Sequence, residues 1–262
     1  MSRASVARSG KRGKGCLVGG RVAGVAAACL GLALLAGSCG GHTGTRPTAT
    51  AKATAPTGNG VASKQPQQIL AAAEGALGSA TSVRMRGTVY QKGTRYNLDI
   101  TLTRDAAKGS MTGPLGRVKN ASFDYVVIGG KMYLRSSTLW RRAGVAAAGL
   151  LDNRWVILPS SSLRRSGGFP FRSTRVFARY LASSSTKGRS VGAATMLNGR
   201  PVIPVKTSIS TVYVAATGPP FPLRVRPLPG HRQGGAVDFL DYGAPVNIAI
   251  PPHPIDLSNL HG

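Results

Sequence analysis

Acidic residues, histidine and cysteine are all scarce in this 262-residue sequence, and their scarcity limits its chemistry. The chain has 8 Asp and Glu against 34 Lys and Arg, with 4 His and 3 Cys. General acids, general bases and metal sites are built mainly from these scarce types. The acids are scattered singly, except Asp238 and Asp241, which a strand would point to opposite faces. We therefore expect no catalytic residue, no metal site and no cofactor.

The cysteines lie only in the first part of the chain, at Cys16, Cys29 and Cys39. Six cations and no acid precede residue 22, and residues 22–36 (VAGVAAACLGLALLA) are uncharged. A basic segment followed by a short apolar one is typical of a secretory signal. A helix of that apolar length reaches roughly 22 Å, short of a ~30 Å hydrocarbon core. The pattern predicts a signal peptide over residues 1–38, with an uncleaved membrane helix as the alternative.

The stretch AGSC, residues 36–39, resembles a bacterial lipobox. The resemblance implies cleavage before Cys39 and a diacylglyceryl group on its sulfur. It departs from the usual pattern because Ala36 stands where Leu is common. The protein would then be held by its lipid at the extracytoplasmic face of the plasma membrane. An ordinary secreted protein with an incidental cysteine is the alternative.

Large apolar side chains are almost missing from residues 40–68. Such Gly-, Thr- and Pro-rich segments bury too little surface to offset the entropy of ordering. We expect residues 39–68 to form the lipidated Cys39 and a disordered tether.

The net charge is +26, and removing six signal cations leaves 28 Lys and Arg against 8 acids, or +20. Such a charge favours anionic lipid headgroups or acidic envelope polymer, or is only an Arg-rich solvated surface. The cations are spread along the chain without a nucleic-acid-binding motif, so we expect no nucleic acid partner.

The remaining residues, 69–260, have the length of one domain. Apolar residues from Ile69 to Leu77 recur at helical spacing, and Gly78 is expected to end that helix. Strict apolar–polar alternation then predicts half-buried antiparallel strands, with a hairpin turn at Gly129–Gly130. A second helix is expected to present Val176, Phe177, Tyr180 and Leu181, and the stretch GAVDFLDYGAPVNIAI is expected to be a strand. The order of elements predicts an α+β fold with one long antiparallel sheet.

Four stretches together resemble the LolA-like actinobacterial lipoproteins of the LppX/LprG type. They are VVIGGKMYLR, LNGRPVIPVK, TGPPFPLRV and VDFLDYGAPVNIAIP, within roughly residues 66–258. The resemblance implies a single curved antiparallel sheet, a half-barrel, with helices packed on its concave face. A hydrophobic cavity between sheet and helices would hold acylated lipids or glycolipids. The stretch RSGGFPFRS, residues 165–173, has no counterpart in the family pattern.

Nine apolar residues are expected to line this cavity, seven on the sheet and two on a covering helix. They are Met85, Leu98, Ile100, Tyr125, Val127, Met132, Leu134, Phe177 and Leu181. The sequence thus predicts a membrane-anchored lipoprotein that binds lipid or acylated glycolipid as carrier or sensor. The alternative is a non-enzymatic structural or interaction lipoprotein, with a solid core, that binds acidic envelope polymer or a protein partner through its basic surface.

Overall fold

The computed structural model describes residues 58–91, 94–115, 117–158, 169–183, 190–228 and 235–257. The predicted signal peptide, Cys39 and the tether up to residue 57 lie outside the described residues. The packed domain begins earlier than the boundary at residue 69. Gly58 forms an antiparallel bridge with Thr217, and Val61 opens a single 3₁₀ turn, Val61–Ser63, with its side chain buried. Residues 58–68 are therefore part of the domain, because a buried valine anchors them.

Four helices are described. Helix α1 spans Pro66–Ser79, α2 Ser137–Ala143, α3 Val145–Leu151 and α4 Thr174–Ser183. Proline occupies the first turn of α1, where its missing N–H costs nothing. Helix α1 passes through Gly78, the residue that was expected to end it, and buries Ile69, Ala73 and Leu77.

The strands belong to one 13-stranded sheet. Their bounds are β1 Ser82–Gln91, β2 Thr94–Thr103, β3 Ala107–Leu115, β4 Val118–Ile128, β5 Lys131–Arg135, β6 Val156–Leu158, β7 Ser190–Val191, β8 Thr195–Leu197, β9 Arg200–Lys206, β10 Ser210–Ala215, β11 Pro222–Pro227, β12 Val237–Leu240 and β13 Ile255–Asp256. The spatial order is β13-β6-β5-β4-β3-β2-β1-β12-β11-β10-β9-β7, with β8 pairing β9.

Neighbouring strands run antiparallel, apart from the parallel pair β13–β6. The predicted hairpin turn lies between β4 and β5, where Gly129 and Gly130 have φ of 58° and 74°. Two successive positive φ values match the right-handed twist of the flanking strands and favour glycine. The predicted fold class, an open curved sheet with helices on one face, is confirmed.

Close approach of neighbouring strands at two glycines allows the sheet to curve. A Cβ at Gly109 in β3 would lie 2.4 Å from the Asp99 carbonyl oxygen and 2.5 Å from the Ile100 Cα in β2. A Cβ at Gly87 in β1 would lie 2.0 Å from the Ala236 carbonyl oxygen. Glycine inside a strand commonly marks a sharp bend where backbones approach closely.

The concave face carries two apolar clusters. The larger one, here the main cluster, gathers buried side chains from β1–β5, β12 and α4, together with Leu77 near the end of α1. The smaller one lies under α1 and contains Ile69 and Ala73 together with Val205, Val212 and Val214 of β9 and β10. The two clusters place α4 and α1 side by side on the same face of the sheet.

The other face holds Arg–Asp pairs and the C-terminal segment. The predicted long strand through residues 235–250 is wrong beyond Leu240, because Asp241 takes a left-handed φ of 52° and ends β12. The chain then passes over β3, where the Lys108 ammonium donates to the Asn247 carbonyl oxygen at 2.9 Å. It returns to the sheet as β13.

Among the ion pairs, Arg84 and Asp99 form a bidentate contact with N···O distances of 2.7 and 2.8 Å. The hydrogen bond from Arg84 holds the pKa of the Asp99 carboxyl below its usual value. Because the pKa of Asp99 is lower in the folded protein, the ionised carboxylate contributes to the free energy of unfolding at pH values above its unfolded pKa of about 3.9. This contribution is lost as the pH falls below that value.

We expect Asp99→Asn to lower the melting temperature slightly at neutral pH, with the difference from wild type shrinking below about pH 4. The effect is small because both side chains are well exposed. Thermal unfolding as a function of pH measures it, with Asp105→Asn as control, since Asp105 is 81% exposed and lies 3.6 Å from Arg175. A difference from wild type that does not change with pH would contradict the linkage.

Candidate functional site

The nine residues expected to line a cavity come together in the structure. Eight of them are no more than 5% exposed and belong to the main cluster, and Leu181 is half-buried against it. Strand register explains this convergence: Met85 pairs with Ile100, and Tyr125 and Val127 pair with Leu134 and Met132. Alternate residues of each strand point to the same face of the sheet. Residues assigned to one face of neighbouring strands therefore become neighbours when the strands pair. Their contact with a lipid remains a prediction.

Two further aromatic residues, Phe169 and Phe171, pack on this cluster and were missed from the sequence. The Phe169 ring meets Tyr125 edge-on at a centroid distance of 5.0 Å and Phe171 at 5.6 Å. Phe171 in turn stacks on Phe177 at 5.4 Å, and Phe177 lies 5.9 Å from Phe239. These five rings form a continuous aromatic row from β4 through residues 169–171 and α4 to β12.

Tyr125 ties the segment carrying Phe169 and Phe171 to the sheet. Its hydroxyl donates to the Phe171 carbonyl oxygen at 3.2 Å. Burial raises the pKa of the Tyr125 phenol well above its usual value, because the charged form would be desolvated. The phenol therefore stays neutral and remains a donor. Two phenylalanines in an otherwise Gly-, Ser- and Arg-rich stretch were the sequence signal for this contact.

Helix α2 covers another part of the same cluster. Leu139 and Trp140 pack against the main cluster. The Trp140 indole nitrogen, Nε1, is buried and has no hydrogen-bond partner within the described ranges. A buried indole N–H usually finds an acceptor, so this donor marks a place where a polar ligand atom would be stabilised.

The face that α4 was predicted to turn toward the sheet is only partly confirmed. Of the residues that α4 was expected to present, Phe177 is buried and Leu181 half-buried, whereas Tyr180 is 48% exposed. The buried face instead runs through Thr174, Phe177 and Ala178. Tyr180 lies at the edge of this face, because successive helical residues are separated by about 100°. Its ring still contacts Phe177 at 6.1 Å.

A small cavity of about 90 Å³ lies where α1 and α4 meet above β10. Its lining comprises Gln67, Leu70, Ala71, Ala73, Glu74, Leu181, Ala182 and Val212. Ligand pockets usually measure about 300–1,000 Å³. The cavity described here is therefore smaller than an acyl chain requires.

Most acidic side chains are held in ion pairs. Six of the eight acids, Asp99, Asp105, Asp124, Asp152, Asp238 and Asp241, lie within 4.0 Å of an arginine nitrogen. Over the residues that the structure describes, no three His, Cys, Asp or Glu side chains are grouped as a metal site would require. No helix in that part of the chain is long and apolar enough to cross a membrane.

Solved structures with a related arrangement include two mycobacterial proteins. LprF from Mycobacterium bovis matches with a TM-score of 0.49 at 14% identity, covering 71% of this chain and 96% of that one. The lipoprotein LppX from Mycobacterium tuberculosis matches with a TM-score of 0.45 at 17% identity, covering 70% and 98%. An uncharacterized conserved protein from Thermus thermophilus gives a TM-score of 0.39 at 10% identity, covering 74% and 99%. No protein-family model matches the sequence. No curated protein matches it either.

Proposed function

We propose that this protein is a membrane-anchored lipoprotein that binds an acyl lipid or acylated glycolipid between its sheet and its helices. The observation that supports this most is the main cluster on the concave face. In this cluster, side chains at alternate positions of neighbouring strands pack against a row of aromatic rings. Two of these rings, Phe169 and Phe171, belong to a short segment outside the strands. Such a surface offers an acyl chain apolar walls on the sheet side and a separable cover on the other.

An acyl chain on this face would replace the contacts that Phe169 and Phe171 make with the main cluster. The contacts of Phe169 and Phe171 with Tyr125 and Phe177 are worth about 0.5–1.5 kcal/mol per ring pair beyond burial, and the Tyr125 hydrogen bond about 1 kcal/mol. A methylene group moved from water onto this face gains about 0.8 kcal/mol, so the face keeps an acyl chain out of water once the chain has left a bilayer. The buried Trp140 N–H would donate to the ester carbonyl oxygen that links the chain to its headgroup.

The direct experiment is native mass spectrometry of the full chain purified from its host membranes. A copurifying acyl lipid supports the proposal, and the fragment mass identifies its class. Absence of any lipid, in preparations that retain the lipid of a known carrier, favours the alternative.

Val127→Trp separates a site from a solid core. Val127 is buried on β4 opposite Met132 and Ala107. If acyl chains occupy this face, the indole of the variant takes their place. The lipid content of the purified variant is then expected to fall about tenfold or more, while its melting temperature stays close to that of wild type. In a solid core the same change overpacks and costs typically 1–3 kcal/mol. Thr112→Trp, at an exposed position of β3, is the matched control and should alter neither quantity.

A lipid site and a solid core predict opposite results for Val127→Trp. A destabilised Val127→Trp protein that keeps its lipid would place Val127 in the core and the ligand elsewhere. A destabilised variant of a protein that never holds lipid would favour a structural or interaction lipoprotein.

That alternative has one observation in its favour. Eight of the nine lining residues are already buried among one another, and the cavity beside Leu181 is small. In that case the excess of cations would bind acidic envelope polymer or a protein partner.

A further inference from the structure

The hairpin formed by α2 and α3 ends in an apolar surface exposed to solvent. We define the apolar tip as residues 143–150, AGVAAAGL, between and along these two helices. Val145 is 92% exposed and Leu150 55% exposed, and neither belongs to the main cluster. Isolated exposed apolar residues are ordinary, but Val145 and Leu150 lie at the two ends of one short helix, about 140° apart around its axis, with exposed Ala146 and Gly149 between them.

Cations flank the apolar tip on both sides. Arg141 and Arg142 precede it and Arg154 follows it, and all three are exposed. Asp152 is the acid nearest in sequence, and its carboxylate lies 4.0 Å from Arg141, too far for a hydrogen bond. The local charge is therefore positive, and it borders the apolar tip.

The other side of the hairpin is fixed to the sheet. The Ser136 hydroxyl donates to the Ser122 carbonyl oxygen of β4 at 2.6 Å and caps α2 by accepting the Leu139 N–H at 3.2 Å. Leu139 and Trp140 then pack on the main cluster. Val145 and Leu150 are thus exposed on a hairpin whose first helix is fixed to the sheet and packs on the main cluster.

We propose that the apolar tip docks on the surface of a bilayer containing anionic phospholipid, with Val145 and Leu150 among the acyl chains and the flanking arginines at the phosphates. Membrane-surface segments combine aliphatic side chains with Arg or Lys in this way. A protein partner is the less suitable occupant, because protein hot spots favour large aromatic anchors and the tip is mostly Ala and Gly. The inference rests on the proposed membrane location and not on lipid binding in the main cluster.

Docking at this position would have a consequence for lipid transfer. Leu139 and Trp140 lie in α2, directly before the tip in the chain, and both pack on the main cluster. A lipid leaving the bilayer beside the tip would therefore meet apolar side chains first.

A fluorescent label at the tip tests the docking. The full chain is purified from membranes in detergent and reconstituted into phosphatidylcholine vesicles with or without phosphatidylglycerol. Val145→Cys and Leu150→Cys variants receive an environment-sensitive label, and unmutated protein gives the background from native cysteines. Met196→Cys is the matched control, because Met196 is an apolar side chain 63% exposed on β8, at the other end of the sheet.

We expect blue-shifted emission and quenching by spin-labelled acyl chains at positions 145 and 150 in the anionic vesicles, and neither effect at 196. Replacing Arg141 and Arg142 by Gln should lower the docked-to-undocked ratio about fivefold for each arginine. Raising the salt from 0.01 to 0.15 M should weaken docking strongly, because the Debye length falls from about 30 to 8 Å.

Labels at 145 and 150 that stay in water in anionic vesicles overturn the inference. Equal quenching in neutral vesicles, or a blue shift already present without vesicles, overturns it as well, the latter because it indicates contact with protein. Each of these outcomes leaves the copurification of lipid unaffected. Failure of the docking inference is therefore distinguishable from failure of the proposed function.

Discussion

Gly109→Ala is expected to destabilise the protein by about 3 kcal/mol or more, at the upper end of overpacking effects. The added methyl would meet the Asp99 carbonyl oxygen at 2.4 Å and the Ile100 Cα at 2.5 Å. Both atoms are backbone, so no side chain can rotate to relieve the clash and β2 must move away from β3. These strands carry Leu98 and Ile100 of the main cluster, so the site is expected to open with the sheet.

The matched control is Gly75→Ala in α1. Gly75 is exposed in the helix interior, and nothing lies within 4 Å of the added methyl. Alanine there should stabilise the protein by about 0.5–1 kcal/mol, because glycine loses more backbone entropy in a helix. Urea or thermal unfolding of the two variants beside wild type measures both effects. Similar stability of Gly109→Ala and wild type would show that β2 and β3 lie further apart than described.

Cys39→Ala is expected to remove the protein from the membrane fraction almost completely, either to the medium or as unprocessed precursor. Without a thiol there is no site for the diacylglyceryl group, whose chains contribute about 0.8 kcal/mol per buried methylene. Fractionation and metabolic labelling with radioactive fatty acid measure the effect. Cys29→Ala is the matched control, since it changes a cysteine within the apolar segment 22–36 and should leave both readouts unchanged. A Cys39→Ala protein that is cut at the same site and remains membrane-bound would rule out the anchor.

Local pattern was sufficient for most of the lining face. Met85, Leu98 and Ile100 alternate with polar residues, and period-two alternation assigns them to one face whatever strand lies beside them. The turn at Gly129–Gly130 was predictable for the same reason, because its backbone requirement is local. These predictions needed no knowledge of distant contacts.

Other features depended on contacts far apart in sequence. Phe169 and Phe171 stand out locally only as two apolar rings in a polar stretch. That stretch does not show what they pack on, because their contacts require Tyr125 and Phe177 to be in place. The second cluster under α1 was not predicted, because it joins Ile69 to strands more than a hundred residues later. The strand predicted beyond Leu240 failed because Asp241 turns the backbone away from the sheet.

By itself, the sequence determined the class of fold, the alternation that makes one face of the sheet apolar, and the positive excess charge. Tertiary structure decided what covers that face and how closely it is filled. It brings Phe169, Phe171 and Trp140 over the sheet, lets β2 and β3 approach at Gly109, and leaves Val145 in solvent. The physical reason is that alternation and charge are properties of neighbouring residues, whereas packing depends on the space between elements that meet only in the folded chain.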